Sequence, residues 1–164
     1  MTGRRGRGVR RLAAAAACAL GAAGFATACR TAAPAGGPVY YPAPAAPGQA
    51  PLPFSSAVRV GGLLLLAGQI GTDSTGRLVP GGIEAETRQA LENVRAALAR
   101  AGASMDDVVK CTAMLADMAE WDRMNRAYVP LFRPGRLPAR SAFGTTGLAR
   151  GARVELECWA AARR

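Results

Sequence analysis

The chain has 164 residues, with 21 lysines and arginines against 11 aspartates and glutamates, and it contains no histidine. The absence of histidine excludes Ser-His-Asp and Cys-His nucleophilic sites as well as histidine-ligated zinc. The four cysteines, at 18, 29, 111 and 158, lack the spacing of metal ligands, so we expect neither a metal nor a cofactor. Any catalysis must therefore depend on arginine, lysine, carboxylates, hydroxyls, thiols or positioned water.

The positive charge is concentrated at the N-terminus. Six of the basic residues lie at or before Arg30, which leaves 15 basic and 11 acidic residues in positions 31–164. A net charge of about +4 is ordinary for a domain of this size, and no nucleic-acid partner is expected from it.

Residues 1–28 have the pattern of a signal peptide. A basic segment from Arg4 to Arg11 precedes an uncharged, alanine-rich stretch that ends in the cleavage motif Ala26-Thr27-Ala28. Cys29 follows directly, as in the lipobox of bacterial lipoproteins, where this cysteine is lipidated, although Ala26 stands where leucine is usual. We therefore expect export and anchoring to a membrane through Cys29. The alternatives are cleavage after Ala28 with release into the periplasm or medium, and a cytoplasmic protein whose start codon is misassigned.

A proline-rich segment follows the predicted signal peptide. Residues 30–53 contain seven of the 11 prolines, a composition typical of an extended, poorly ordered tether. The sequence thus predicts a tether over residues 29–53, with Tyr40-Tyr41 as part of this linker, and a globular domain over residues 54–164.

The elements of this domain can be predicted in chain order. Strands are predicted at 58–60 and 63–67 around a Gly61-Gly62 turn, a helix at 83–101, a strand at 108–115, a second helix after Asp117 and strands at 141–146 and 153–161. Asp117 and Glu120 resemble a capping box, and Pro130 should end the second helix early. The order β-β-α-β-α-β-β indicates an α+β domain with both helices on one sheet face.

Alternation along the last strand separates its side chains by face. Val154, Leu156 and Cys158 share one face, and Glu155 and Glu157 share the other. If the helices cover the first face, the carboxylates emerge on an uncovered face, where a partner subunit is expected. Cys111 and Cys158 are predicted as small core residues, with a disulfide between them as the alternative outside the cytoplasm.

Arg140 and Glu155 are the strongest candidates for chemistry. Each lies near the start of one of the last two strands, and pairing of these strands would bring both side chains into one cleft. Arginine has a planar fork that matches a substrate carboxylate, and glutamate can orient or deprotonate water.

Six motifs follow one another in a fixed order along the predicted domain: Ala67-Gly68-Gln69-Ile70, Gln89-Ala90-Leu91-Glu92-Asn93-Val94, Asp107-Val108-Val109-Lys110, Met124-Asn125-Arg126-Ala127-Tyr128, Pro138-Ala139-Arg140-Ser141 and Val154-Glu155-Leu156-Glu157. Together they resemble the Rid family, also called RidA or YjgF, the reactive-intermediate or imine deaminases. The resemblance implies the chorismate-mutase-like (YjgF-type) α+β fold, assembled as a homotrimer with sites in clefts between subunits.

The resemblance also implies an activity. Enzymes of the family hydrolyse enamines and imines such as 2-aminoacrylate to a 2-keto acid and ammonia, without a cofactor. Arg140 matches the arginine that binds the substrate carboxylate, and Glu155 matches the glutamate that positions the attacking water. The other substrate-binding residues implied are Asn125, Phe54, Gly68 and Gln69.

Three positions depart from the family pattern. Phe54 stands where a pocket tyrosine is frequent, Ala142 replaces a frequent cysteine, and Gly71 replaces a frequent proline. None of them removes the arginine–glutamate pair.

The alternative function is a non-catalytic module that binds a small carboxylate or joins an envelope assembly through the same cleft. Predicted export favours this alternative, because reactive imines arise mainly in the cytoplasm.

Overall fold

The computed structural model describes residues 36–45 and 50–162. The predicted signal peptide and the predicted lipidation site Cys29 lie outside these residues. Within them the elements are β1 (Val39–Pro42), β2 (Ser55–Val60), β3 (Leu63–Leu66), β4 (Gln69–Ile70), α1 (Gly82–Arg100), β5 (Val108–Leu115), α2 (Trp121–Tyr128), β6 (Ala139–Gly144) and β7 (Val154–Ala161). The predicted hairpin, both helices and the last three strands are present.

The strands form one mixed sheet in the order β1-β2-β3-β7-β5-β6, with β4 pairing β7 beyond the end of β3. The β5–β6 pair is parallel and the other pairs are antiparallel. The expectation that the last two strands pair is wrong, because β5 lies between β6 and β7. Helix α2 makes the crossover that a parallel β5–β6 connection requires, and β7 then pairs with the free edge of β5.

Both helices pack against the same face of the sheet, as predicted. One buried cluster joins Leu91 and Val94 of α1, Met124 of α2, and Val154 and Leu156 of β7. Helix α1 begins after Gly81, whose φ of 113° favours glycine, and Gly102 with a φ of 75° follows its end. Among the described residues, no helix combines the length and apolar character needed to cross a membrane.

The sheet begins inside the segment for which the sequence predicts a tether. Strand β1 pairs with β2 through Tyr40, which lies opposite Val58, and Tyr41, which lies opposite Ala57. Valine and tyrosine favour strands, and Pro42 is tolerated because it ends an edge strand. The proline-rich composition of the surrounding chain conceals this short strand.

The predicted capping box at the second helix forms only in part. Asp117 accepts a hydrogen bond from the Ala119 N–H at 2.8 Å, as a capping residue should. Glu120 instead binds the guanidinium groups of Arg153, at 3.0 Å, and Arg123, at 3.4 Å. Helix α2 ends at Tyr128, two residues before Pro130, as predicted.

Cys111 and Cys158 lie directly opposite each other on β5 and β7, and both are fully buried. Their prediction as core residues is confirmed. They are joined by a disulfide, the arrangement that the sequence left as an alternative.

Candidate active site

Arg140 lies on β6 and packs against one side of α2. Its Nη2 donates a hydrogen bond of 2.6 Å to Asn125 Oδ1. The guanidinium carbon lies 4.9 Å from the ring centroid of Trp121 and 4.5 Å from that of Tyr128. These rings attract the cation through their π faces and restrict its orientation. The structure therefore brings Arg140 into contact with Asn125, one of the residues that the family resemblance implies for substrate binding.

The guanidinium of Arg140 has no carboxylate partner among the described residues. The ion pairs found there involve other arginines, and Arg140 donates to Asn125 and weakly to the Met124 sulfur at 3.8 Å. A guanidinium has five N–H donors, so most of its donor capacity is uncommitted. A half-buried guanidinium with uncommitted N–H donors is suited to bind an anionic ligand.

Tyr128 contributes a buried phenol beside this arginine. It is 3% exposed, and its hydroxyl has no hydrogen-bond partner among the described residues. Burial raises the pKa of Tyr128 to about 12, and the positive charge of Arg140 opposes this rise. The phenol is therefore neutral at physiological pH. The sequence motifs did not connect Trp121 and Tyr128 with Arg140, although both lie within about one helical turn of Asn125.

Glu155 lies on β7, on the sheet face opposite the helices. It is opposite Ile70 of β4 on one side and Met114 of β5 on the other. Its carboxylate fills the space beside Gly68, where any side chain would overlap Glu155 Oε1. The carboxylate forms no ion pair with another described residue, so its oxygens are available to accept hydrogen bonds from water.

The remaining predicted residues line a cavity of about 800 Å³ beside β4 and α1. Phe54, Gly68 and Gln69 contribute to its wall, and Phe54 is 51% exposed. The Gln69 side chain donates to the Ala67 carbonyl at 3.0 Å, which holds the loop before β4. Gly68 also lies against the Glu155 carboxylate, but neither Glu155 nor Arg140 lines the cavity itself.

Arg140 and Glu155 do not meet within one chain, contrary to the expectation of a single cleft. Arg140 lies opposite Cys111, which lies opposite Cys158, so the three side chains share the helix-covered face. Glu155 is three residues from Cys158 and projects from the other face. The two residues are also two strands apart, roughly 9–10 Å across the sheet.

Comparisons with known proteins identify the family of the chain. Residues 44–162 match the family described as Endoribonuclease L-PSP. The 2-iminobutanoate/2-iminopropanoate deaminase of Mus musculus is 46% identical over 116 residues, which span 70% of this chain and 82% of that protein.

Solved structures show the same fold. The YjgF gene product of E. coli has a TM-score of 0.65 and 31% identity, covering 74% of this chain and 94% of its own. RidA from the Antarctic bacterium Psychrobacter has a TM-score of 0.64 and 32% identity, covering 74% of this chain and 94% of its own. Both the matched length and the identity to these relatives show that the chain belongs to the Rid, or YjgF, family, which is also described as Endoribonuclease L-PSP.

Proposed function

We propose that the chain is a cofactor-independent deaminase that hydrolyses 2-imino acids and their enamine tautomers to 2-keto acids and ammonia. The observation that carries the proposal is that Arg140 is held in place but has no carboxylate partner among the described residues. It is held by Asn125 and two aromatic rings, yet no carboxylate within the described chain neutralises it. A small substrate with a carboxylate next to its imine supplies the missing anion. The mouse relative's name specifies such substrates, 2-iminobutanoate and 2-iminopropanoate.

The reaction requires one anion-binding group and one positioned water. The Arg140 guanidinium holds the substrate carboxylate, which fixes the neighbouring imine carbon. Glu155 accepts a hydrogen bond from water and directs its oxygen at that carbon. The C–O bond forms while the C=N electron pair moves to nitrogen, and the proton that the water releases passes through Glu155 to that nitrogen. The resulting carbinolamine loses ammonia and leaves the 2-keto acid. An enamine substrate enters the same sequence after protonation at carbon 3, which converts it to the imine.

The catalytic demand is modest, because imines already hydrolyse in water. A charge-assisted hydrogen bond contributes about 1.5–3 kcal/mol. General acid–base assistance contributes roughly 10²–10⁴-fold in rate. Two correctly placed groups are therefore enough, which agrees with a site that lacks histidine.

A homotrimer would complete the site. Within one chain Arg140 and Glu155 face opposite sides of the sheet, so a complete site needs Arg140 of one subunit beside Glu155 of another. The uncovered sheet face supports such assembly, because it leaves large apolar side chains exposed, including Phe143 (49%) and Trp159 (38%). Rotational symmetry would repeat the composite site at each subunit boundary.

Export and membrane anchoring through Cys29 form part of the proposal. The observation that supports export is the disulfide between Cys111 and Cys158, because disulfides persist in oxidising compartments and are rare in the cytoplasm. The lipobox-like sequence at Cys29 supports anchoring. The imines would then be ones that are formed outside the cytoplasm.

The direct experiment supplies the full-length protein with 2-aminoacrylate and 2-iminobutanoate generated in situ and measures keto-acid and ammonia release against the uncatalysed rate. We expect acceleration that saturates with substrate. Absence of acceleration, together with binding of a 2-keto acid detected by calorimetry, would instead establish the non-catalytic carboxylate-binding function.

A further inference from the structure

Glu86 is a buried carboxylate at the start of α1 that the proposed mechanism does not use. It is only 6% exposed, and its Oε2 accepts a hydrogen bond of 2.8 Å from the Arg153 main-chain N–H. Burial of a carboxylate is costly unless hydrogen bonds compensate it, and an apolar residue would fill the same space at lower cost. Because a buried carboxylate is costly, the parts of the chain that Glu86 contacts indicate its structural role.

The first contact is with the residue that precedes β7. All three polar groups of Arg153 are engaged: its N–H by Glu86, its carbonyl by the Ala116 N–H at 3.0 Å, and its guanidinium by Glu120 at 3.0 Å. Glu155 lies two residues further along the same strand. The main chain that carries Glu155 is thus fixed immediately before it.

The second contact is with the residue that follows β4. Gly71 is buried, and a Cβ atom there would lie 2.6 Å from Glu86 Cα and 2.7 Å from the Glu86 carbonyl oxygen. Gly71 follows Ile70, which lies opposite Glu155 in the β4–β7 pair. Glycine permits this approach of α1, because a Cβ atom on residue 71 would force the main chain of the helix or the loop to shift.

Glu86 therefore contacts two positions near Glu155. One is Arg153, which precedes the strand of Glu155, and the other is Gly71, which follows the neighbouring strand β4. We propose that Glu86 is a positioning residue for Glu155, with its carboxylate acting through the Arg153 N–H and its main chain acting through the close packing against Gly71. The inference rests on the proposed function, because it assigns Glu86 to the placement of the water-orienting carboxylate. A misplacement of about 1 Å in such a group can lower the rate roughly 10²-fold.

The test compares four variants of the full-length chain in the imine assay. Glu86→Leu removes the acceptor, Glu86→Gln keeps an oxygen in the same place, and Gly71→Ala forces the two backbones apart without changing Glu86. Glu84→Leu is the control, since Glu84 is on the same helix but forms ion pairs with Arg123 and Arg126 at the surface.

We expect Glu86→Leu and Gly71→Ala to lower kcat by 10–100-fold with KM within twofold, because the carboxylate-binding Arg140 is untouched. Glu86→Gln should restore kcat to within about threefold of the wild type, and Glu84→Leu should leave it unchanged. Calorimetric binding of 2-oxobutanoate, whose carboxylate is held by Arg140 in the proposed mechanism, should keep its wild-type affinity in all four.

Wild-type kcat in folded Glu86→Leu and Gly71→Ala variants would overturn the inference and leave the proposed function intact. A parallel loss of kcat and 2-oxobutanoate affinity would also overturn it, since that pattern indicates general structural damage. If Glu86→Leu does not fold, the kcat of Gly71→Ala decides. A wild-type chain inactive on every imine would overturn the proposed function, and the inference with it.

Discussion

Arg140 and Glu155 project from opposite faces of one sheet, with β5 between the strands that carry them. Neither forms an ion pair with another residue of segments 36–45 and 50–162, so each keeps hydrogen-bonding capacity for a ligand. Under the proposed mechanism the two groups act on one substrate when different subunits supply them, which would connect the chemistry to assembly. Activity and oligomeric state should therefore change together.

Arg140→Ala should lower kcat/KM for imines by about 10–150-fold, which corresponds to a charge-assisted interaction of about 1.5–3 kcal/mol. Arg140→Lys should recover little of it, because an ammonium group lacks the planar fork and the stacking on Trp121 and Tyr128. Steady-state kinetics on both variants test this. Arg136→Ala, at an exposed arginine outside the site, is the control and should match the wild type. Activity of Arg140→Ala within twofold of the wild type would exclude the assigned role.

Phe143→Glu should dissociate the proposed trimer and abolish imine hydrolysis while the subunit stays folded. Phe143 is 49% exposed on the uncovered sheet face, so a charge there costs the monomer little but cannot be buried against another subunit. Light scattering at micromolar concentration gives the mass, and circular dichroism reports the fold. Arg88→Glu, on an exposed position of α1, should remain trimeric and active. A monomeric wild-type chain with full activity would contradict the composite site.

Local signals in the sequence were sufficient for much of this structure. The apolar repeat from Ile83 to Leu98 predicted α1, and alternation along β7 placed Glu155 on the uncovered face, because both patterns depend only on neighbouring residues. The pairing of the last two strands could not be predicted, since it depends on where the α2 crossover places β6. Strand β1 was hidden by prolines on either side of Val39–Tyr41. The enclosure of Arg140 by aromatic rings required the packing of α2 on β6, which no spacing reveals.

Reduction of the Cys111–Cys158 disulfide should lower the free energy of unfolding by about 2–4 kcal/mol, because the bond closes a long loop in the unfolded chain. The two cysteines are 47 residues apart. Denaturant unfolding with and without a reductant measures the effect in the wild type. The double variant Cys111→Ala/Cys158→Ala should show the reduced stability and no response to the reductant. Two free thiols in protein isolated under non-reducing conditions would contradict the disulfide.

Tyr128 should make the domain less stable as the pH rises from 10 to 12. The unfolded phenol loses its proton near pH 10, whereas the folded one keeps it up to about pH 12. The folded state therefore binds more protons in this window, and up to about 2–3 kcal/mol of stability is lost as the pH rises through it.

Tyr128→Phe should remove this part of the pH dependence. At neutral pH it should be neutral or slightly stabilising, because the hydroxyl has no hydrogen-bond partner among the described residues. Thermal unfolding from pH 7 to 12 measures both effects, with Tyr40→Phe, at a 65% exposed position, as the control. A loss of more than 1 kcal/mol in Tyr128→Phe at pH 7 would show that the hydroxyl has a stabilising partner.

Cys29→Ser should release the protein from membranes into the soluble fraction without changing the activity per molecule. Lipidation of a bacterial lipoprotein supplies several acyl chains, which are needed because a single chain gives only marginal binding. Fractionation of cells expressing each form, with mass spectrometry of the mature N-terminus, tests the anchor. Cys18→Ser, inside the predicted signal peptide, is the matched control and should leave the wild-type protein on the membrane. Wild-type protein cleaved after Ala28 and found soluble would exclude the anchor but keep export. An intact N-terminus in the cytoplasm would exclude both and assign the chain to intracellular imine removal.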